Sequence, residues 1–144
     1  MAQASILLID DEEVIRDVIS RLLEKNGYEV FSAEECEAGL KILHEQPIDL
    51  VLLDLMLPGK SGLDCLKEIF DIAPDVSVVM ISAYASIENA VQATKMGAFD
   101  FVTKPFKNEE LLNVIKNGLA IRALAMENRV LRKSFRDRYS FHSI

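Results

Sequence analysis

The stretch SILLIDD, residues 5–11, is an apolar, largely branched run broken by two aspartates. A strand with one wet face alternates polar and apolar side chains. This one does not, so it reads as a strand buried on both faces of a parallel sheet. Val14, Ile15, Val18, Ile19, Leu22 and Leu23 then repeat at helical spacing as far as Asn26-Gly27, which predicts a helix over residues 12–25.

The same change of period recurs along the chain. Tyr28–Ser32 reads as a second strand, and Cys36–Glu45 as a helix with Leu40 and Leu43 inward, ending ahead of Pro47. Leu50–Leu53 is strand-like, and Pro58, Gly59 and Gly62 mark a loop. Leu63, Leu66, Ile69 and Phe70 form the inner stripe of a helix ended by Pro74. Val76–Ile81, a more polar helix over Ser86–Met96 stopped at Gly97, and Ala98–Val102 complete the series, and a last helix begins near Asn108. Strands alternating with helical stretches argue for an α/β fold, a doubly wound five-stranded parallel sheet with right-handed crossovers.

In such a sheet the carboxyl ends of the strands face one edge, where residues distant in sequence converge. The strands here end in Asp10 and Asp11, Asp54, Ser82 and Lys104. Each has an ordinary reading alone: a helix cap for the aspartate pair, a loop carboxylate for Asp54, a turn cap for Ser82, a surface lysine for Lys104. Together they bring three carboxylates, a hydroxyl and an ammonium into one crevice. Crowded carboxylates raise one another's pKa, and a divalent cation relieves the strain. Oxygen ligands without His or thiolate favour Mg2+, which commonly shares its shell with a phosphate. A carboxylate can attack phosphorus to form an acyl phosphate, with Mg2+ and Lys104 neutralising the equatorial oxygens and Ser82 donating to one of them. Asp54 is the candidate acceptor.

Asp10-Asp11, Asp54 followed by Pro58-Gly59, Ser82-Ala83 and Lys104-Pro105-Phe106 together resemble the receiver domain of bacterial two-component response regulators, over about residues 4–118. The resemblance implies a flavodoxin-like sheet of order 2-1-3-4-5 and phosphorylation of Asp54 by a sensor histidine kinase. It implies that Asp11 and Asp54 bind Mg2+ directly, Asp10 mainly through water, and that the backbone carbonyl of Met56 completes the protein ligands. Lys104 would contact the phosphoryl group, and Lys104-Pro105 would be cis. It also implies a switch in which the Ser82 hydroxyl moves toward the phosphate and Phe101 turns inward. Core packing is the alternative role for Phe101, and the expected output face is helix four, strand five and helix five.

The 144 residues, half of them apolar, suffice for one core, a receiver over 1–118. The net charge of −7 is uneven: residues 1–117 hold 10 Lys+Arg against 21 Asp+Glu, and residues 118–144 hold 6 against 2. An acidic body is a poor ligand for a phosphate backbone, so direct nucleic-acid binding by this fragment is not expected. No apolar run approaches the roughly 20 residues that cross a bilayer. Cys36 and Cys65 lack metal-like spacing, and MAQA leads into a strand without a signal-like segment, so a reducing cytoplasm is the default compartment.

Past Gly118 a heptad places Ile121, Asn128 and Phe135 at a and Leu124, Leu131 and Arg138 at d. An a-position Asn favours a parallel dimer in fixed register, so residues 119–138 read as a helical linker that builds a homodimer with helix five. The alternative is an amphipathic helix packed on its own domain. Residues 139–144 resemble the lead-in to the AAA+ ATPase domain of NtrC-type transcriptional activators, the start of an output domain beyond this fragment.

The expected function is therefore a phospho-acceptor switch of a transcriptional activator, catalysing only its own phosphorylation and dephosphorylation. A haloacid-dehalogenase-like phosphatase would need a second Asp two positions after Asp54, where Met56 stands. A flavodoxin-like cofactor binder would need a Gly/Ser/Thr phosphate loop, and residues 10–13 read DDEE. A constitutive dimerisation module would have no need of all five polar positions.

Overall fold

The computed structural model describes residues 3–83 and 86–140, with side chains as far as residue 128. Five strands, β1 (Ser5–Ile9), β2 (Glu29–Ala33), β3 (Leu50–Asp54), β4 (Ser77–Ser82) and β5 (Asp100–Thr103), alternate with helices α1 (Glu13–Lys25), α2 (Cys36–Glu45), α3 (Gly62–Ile72), α4 (Ile87–Lys95) and α5 (Asn108–Ser140). The strands are parallel in the order β2-β1-β3-β4-β5, the flavodoxin-like order the resemblance implies. β1 and β3 start where the sequence places them, and β2, β4 and β5 start one or two residues later.

The pleat of the central strands builds two cores. Leu7, Ile9, Val51, Leu53, Val78 and Met80 face α2, α3 and α4, whereas Ile6, Leu8, Leu50, Leu52, Val79 and Ile81 face α1 and α5. Every residue of β1 and β3 is buried, which is why these segments lack alternation. Two helix stripes differ from expectation. On α1 only Ile19 and Leu23 are buried, while Val14 and Val18 stand 72% and 57% exposed. On α3 the buried set is Gly62, Cys65, Leu66 and Ile69, with Leu63 and Phe70 at its margin. In both cases a stripe drawn from hydrophobicity is wider than the arc a single sheet face covers.

Asn117-Gly118 does not end α5, which runs on through the expected domain boundary. A Cβ at Gly118 would lie 2.9 Å from Leu50 Cδ1 and 3.3 Å from Phe99 Cδ2, so the glycine lets the helix press on the sheet's lower edge. There the buried Ser77 hydroxyl donates to the Gly118 carbonyl at 2.6 Å. Arg122 pairs with Asp49 at 3.0 Å, and the other oxygen of Asp49 accepts from the Ser5 amide. The first turn past residue 118 is thus tied to the sheet domain. Ser77→Ala, leaving that carbonyl without its donor, is expected to cost about 1 kcal/mol in urea unfolding.

Ile121 and Leu124 are 51% and 57% exposed and Asn128 is exposed, with Ile121 at the edge of a groove it shares with Phe70, Pro74 and Phe99 of its own domain. The side chains of Leu131, Phe135 and Arg138, and residues 141–144, lie outside the described residues. The two cysteines, Cys36 in the first turn of α2 and Cys65 in α3, form a disulfide, a pairing their spacing in sequence gave no reason to expect.

Candidate functional site: an acidic cleft at the strand ends

Neighbouring strands β1, β3 and β4 and the end of β5 deliver Asp10, Asp11, Asp54, Ser82 and Lys104 to one edge of the sheet. A cleft of about 190 Å3 lies there, lined by Asp11, Glu12, Asp54, Met56, Ser82, Ala83 and Lys104. Backbone bonds fix its walls: Asp10 N–H donates to Ala33, Leu55 N–H to Ile81 and Lys104 N–H to Ser82. The Lys104-Pro105 peptide is cis, as the resemblance implies. Gly62 sets the near side, because a Cβ there would come within 2.5 Å of the Asp54 carbonyl oxygen and 2.6 Å of Leu55 Cα. Only a glycine lets α3 start against the end of β3.

Asp10 is fully buried. One of its oxygens accepts from the Glu12 amide at 2.9 Å and the other from Lys104 Nζ at 2.7 Å. The aspartate is therefore not the N-cap of α1; that position is Glu12, whose side chain makes no capping bond. Asp54, 4% exposed, accepts from the Met56 amide at 3.0 Å and from Lys104 at 3.3 Å. The ammonium thus stands between two buried carboxylates, with Glu12 4.0 Å away.

Burial pushes the Asp54 carboxyl up from 3.8 to about 6, with Asp10 adding to the rise and the Met56 amide and Lys104 opposing it. Burial works against the Lys104 charge, but its bond to Asp10 and the two nearby carboxylates outweigh that and raise its pKa. A carboxylate with a raised pKa beside a cation held in its charged form, in a cleft, marks a candidate functional site.

The donor set of Asp10, Asp11 and Glu12, whose oxygens lie within 4.8 Å of one another, fits a hard cation; Asp54 stands outside that group and is linked to Asp10 by Lys104. Glu12 is the residue that sequence reasoning missed; the only hint was its place in the acidic run 10–13, and its reach into the cleft depends on where α1 begins. Ser82 is buried on the cleft wall. Phe101 pairs with Met80 across the sheet and packs, half-buried, on the α2–α4 core rather than in the cleft.

The sequence profile of the response regulator receiver domain matches residues 6–116, and the chain belongs to that family of two-component signalling domains. An NtrX-like response regulator from Rickettsia felis is 39% identical over 130 residues, covering 89% of this chain and 27% of its own length. The chain therefore spans about a quarter of such relatives. The structure of NtrX from Brucella abortus in complex with ADP superposes with a TM-score of 0.86 at 38% identity, covering 90% of this chain and 30% of that one. A response regulator from Burkholderia pseudomallei, solved with a phosphorylated aspartic acid, a calcium ion and citrate, superposes with a TM-score of 0.76 at 33% identity, over 87% and 73% of the two chains.

Proposed function

We propose that the chain is a cytoplasmic phospho-acceptor in which Asp54 takes a phosphoryl group from a sensor histidine kinase with Mg2+, and that phosphorylation changes dimerisation through α5 and the linker. The observation that carries the reading is Asp54 itself: a nearly buried carboxylate with a raised pKa, held 3.3 Å from an ammonium in an acidic cleft. A bound Mg2+ would supply charge neutralisation for the incoming phosphoryl oxygens. Asp10, Asp11 and Asp54 would hold it, with the Met56 carbonyl, and Glu12 is near enough to assist.

Lys104 has two alternative partners in this site. In the resting domain it neutralises Asp10 and Asp54; on phosphorylation it would pair with the new dianion, and Ser82, at the adjacent strand end, would donate to it. Phe101 lies on the neighbouring strand and is only half-buried, which leaves it room to move when Ser82 does. That movement would reach α4, β5 and α5.

The exposed Ile121 and Leu124 support a linker that buries its apolar stripe against a second copy. The relatives' greater length supports an output domain beyond residue 144, of the AAA+ type, since the Brucella abortus NtrX was solved with ADP.

The test is light scattering with and without beryllofluoride and Mg2+, on the full chain and on one stopped at residue 118. The expected result is a change of oligomeric state with the phosphoryl mimic in the full chain alone. An unaltered mass in all four samples would exclude switching through the linker.

A further inference from the structure

Helices α2 and α3 meet on the sheet face away from α1 and α5, and a cleft of about 510 Å3 runs between them, lined by Glu37, Leu40, Lys41, His44, Glu68, Asp71 and Ile72. That volume lies within the roughly 300–1,000 Å3 of small-molecule sites. Beside it, buried and outside its lining, lie Cys36, 2% exposed, and Cys65, whose Cα atoms are 5.8 Å apart, near the usual separation for a bridged pair. Cys36 Sγ lies 3.8 Å from a carboxylate oxygen of Glu68, one of the residues lining the cleft. Cys65 is fully enclosed. Lys60 binds both Glu37 and Glu68.

We propose that Cys36 and Cys65 are a reversible redox modification site, oxidised and reduced through the α2–α3 cleft by low-molecular-weight thiols and disulfides. This rests on the cytoplasmic role proposed above, because disulfides in that compartment are characteristically transient or redox-sensing rather than structural. Both sulfurs are buried, so small reagents reach them when α2 and α3 part locally, and Cys36, whose sulfur adjoins Glu68 of the cleft lining, is the entry point. Its thiolate attacks one sulfur of a small disulfide, breaking that S–S bond and releasing one thiol. The Cys65 thiolate then attacks the Cys36 sulfur of the mixed disulfide and expels the second thiol. Two protein thiols lose two electrons and two protons, and the small disulfide becomes two thiols.

The bond has a consequence for the acceptor cleft. It closes a segment of sequence separation 29 that contains β3, Asp54 and the loop 55–61. Cys65 lies three residues past Gly62, where α3 abuts the Asp54 carbonyl. Oxidation therefore anchors the helix against which the Met56 loop is held, and reduction lets that loop open more often.

The test uses the full chain equilibrated in glutathione buffers of increasing glutathione disulfide content, with free thiols counted by alkylation and intact mass. A single two-electron conversion from two thiols to none, in a monomeric product, is expected. Oxidation should raise Tm by roughly 10 °C and slow amide exchange across residues 55–64 by about tenfold. Cys65→Ser should accumulate a glutathione adduct on Cys36, and Cys36→Ser should leave Cys65 unmodified while folded. Two thiols persisting in a large excess of glutathione disulfide, or a product linked only between chains, would overturn the redox site. Equal exchange in the two redox states of the wild type would overturn the coupling to the loop. None of these readouts involves phosphorylation, so failure of the acceptor reading would be seen separately.

Discussion

Asp54→Asn should end phosphoryl incorporation from acetyl phosphate, to less than about a hundredth of wild type by intact mass. The carboxamide has nearly the shape of the carboxylate but no charged oxygen to attack phosphorus. The packing of β3 should survive, because the strand is held by the sheet and by Leu50–Leu53, all buried. Asp11→Asn tests the metal arm of the proposal separately: it keeps the proposed acceptor but removes a proposed cation ligand, so labelling should persist at a reduced rate and require more Mg2+. A chelator should suppress labelling of the wild type. Undiminished labelling of Asp54→Asn would place the acceptor elsewhere and remove the basis of the proposed function.

The second large effect is on stability. With metal chelated, Asp54→Asn should raise the unfolding free energy by about 2 kcal/mol near neutral pH. Burial, then the charge of Asp10, hold the Asp54 carboxyl at about 6 in the folded protein against 3.8 when exposed, despite the opposing Met56 amide and Lys104. Between those values the native state keeps a proton that the unfolded chain has released. Stability therefore falls as pH rises from about 4 to about 6, and the full loss persists above that window. A span of roughly 2 pH units corresponds to about 3 kcal/mol, of which losing the Lys104 contact takes back a part. Urea titrations in chelator at about pH 7.5 and pH 4 check this: the variant's advantage should appear at the higher pH and vanish at the lower. An equal advantage at both would mean that ionisation of Asp54 is not its source. Mg2+ should narrow the gap at neutral pH, since the cation favours the carboxylate of the wild type alone.

The two effects oppose each other in one side chain, which is characteristic of a functional group kept in an unfavourable environment. Asp54 ends a strand whose other residues are all apolar, and a residue chosen only for stability there would be neutral. Lys104 limits the cost by standing between Asp54 and Asp10, within 3.3 Å and 2.7 Å.

Element order, sheet type and the strand-end placement of Asp10, Asp54, Ser82 and Lys104 were legible in the sequence, because a strand buried on both faces must be continuously apolar and a polar residue ends it. Tertiary structure alone decided what depends on distances between elements. Val14 and Val18 carry the helical period yet face outward, since one sheet face covers only part of a helix. Glu12 joins the cleft because α1 begins there, and Lys104 stands between two carboxylates because β1, β3 and β5 converge. Gly118 lies where the helical pattern continues, but only the packing shows that its missing side chain makes room for Leu50 and Phe99. Cys36 and Cys65, 29 residues apart, meet only because α2 and α3 pack side by side on one face of the sheet. Periodicity records which side of an element is apolar; what that side meets is set by the packing of the whole chain.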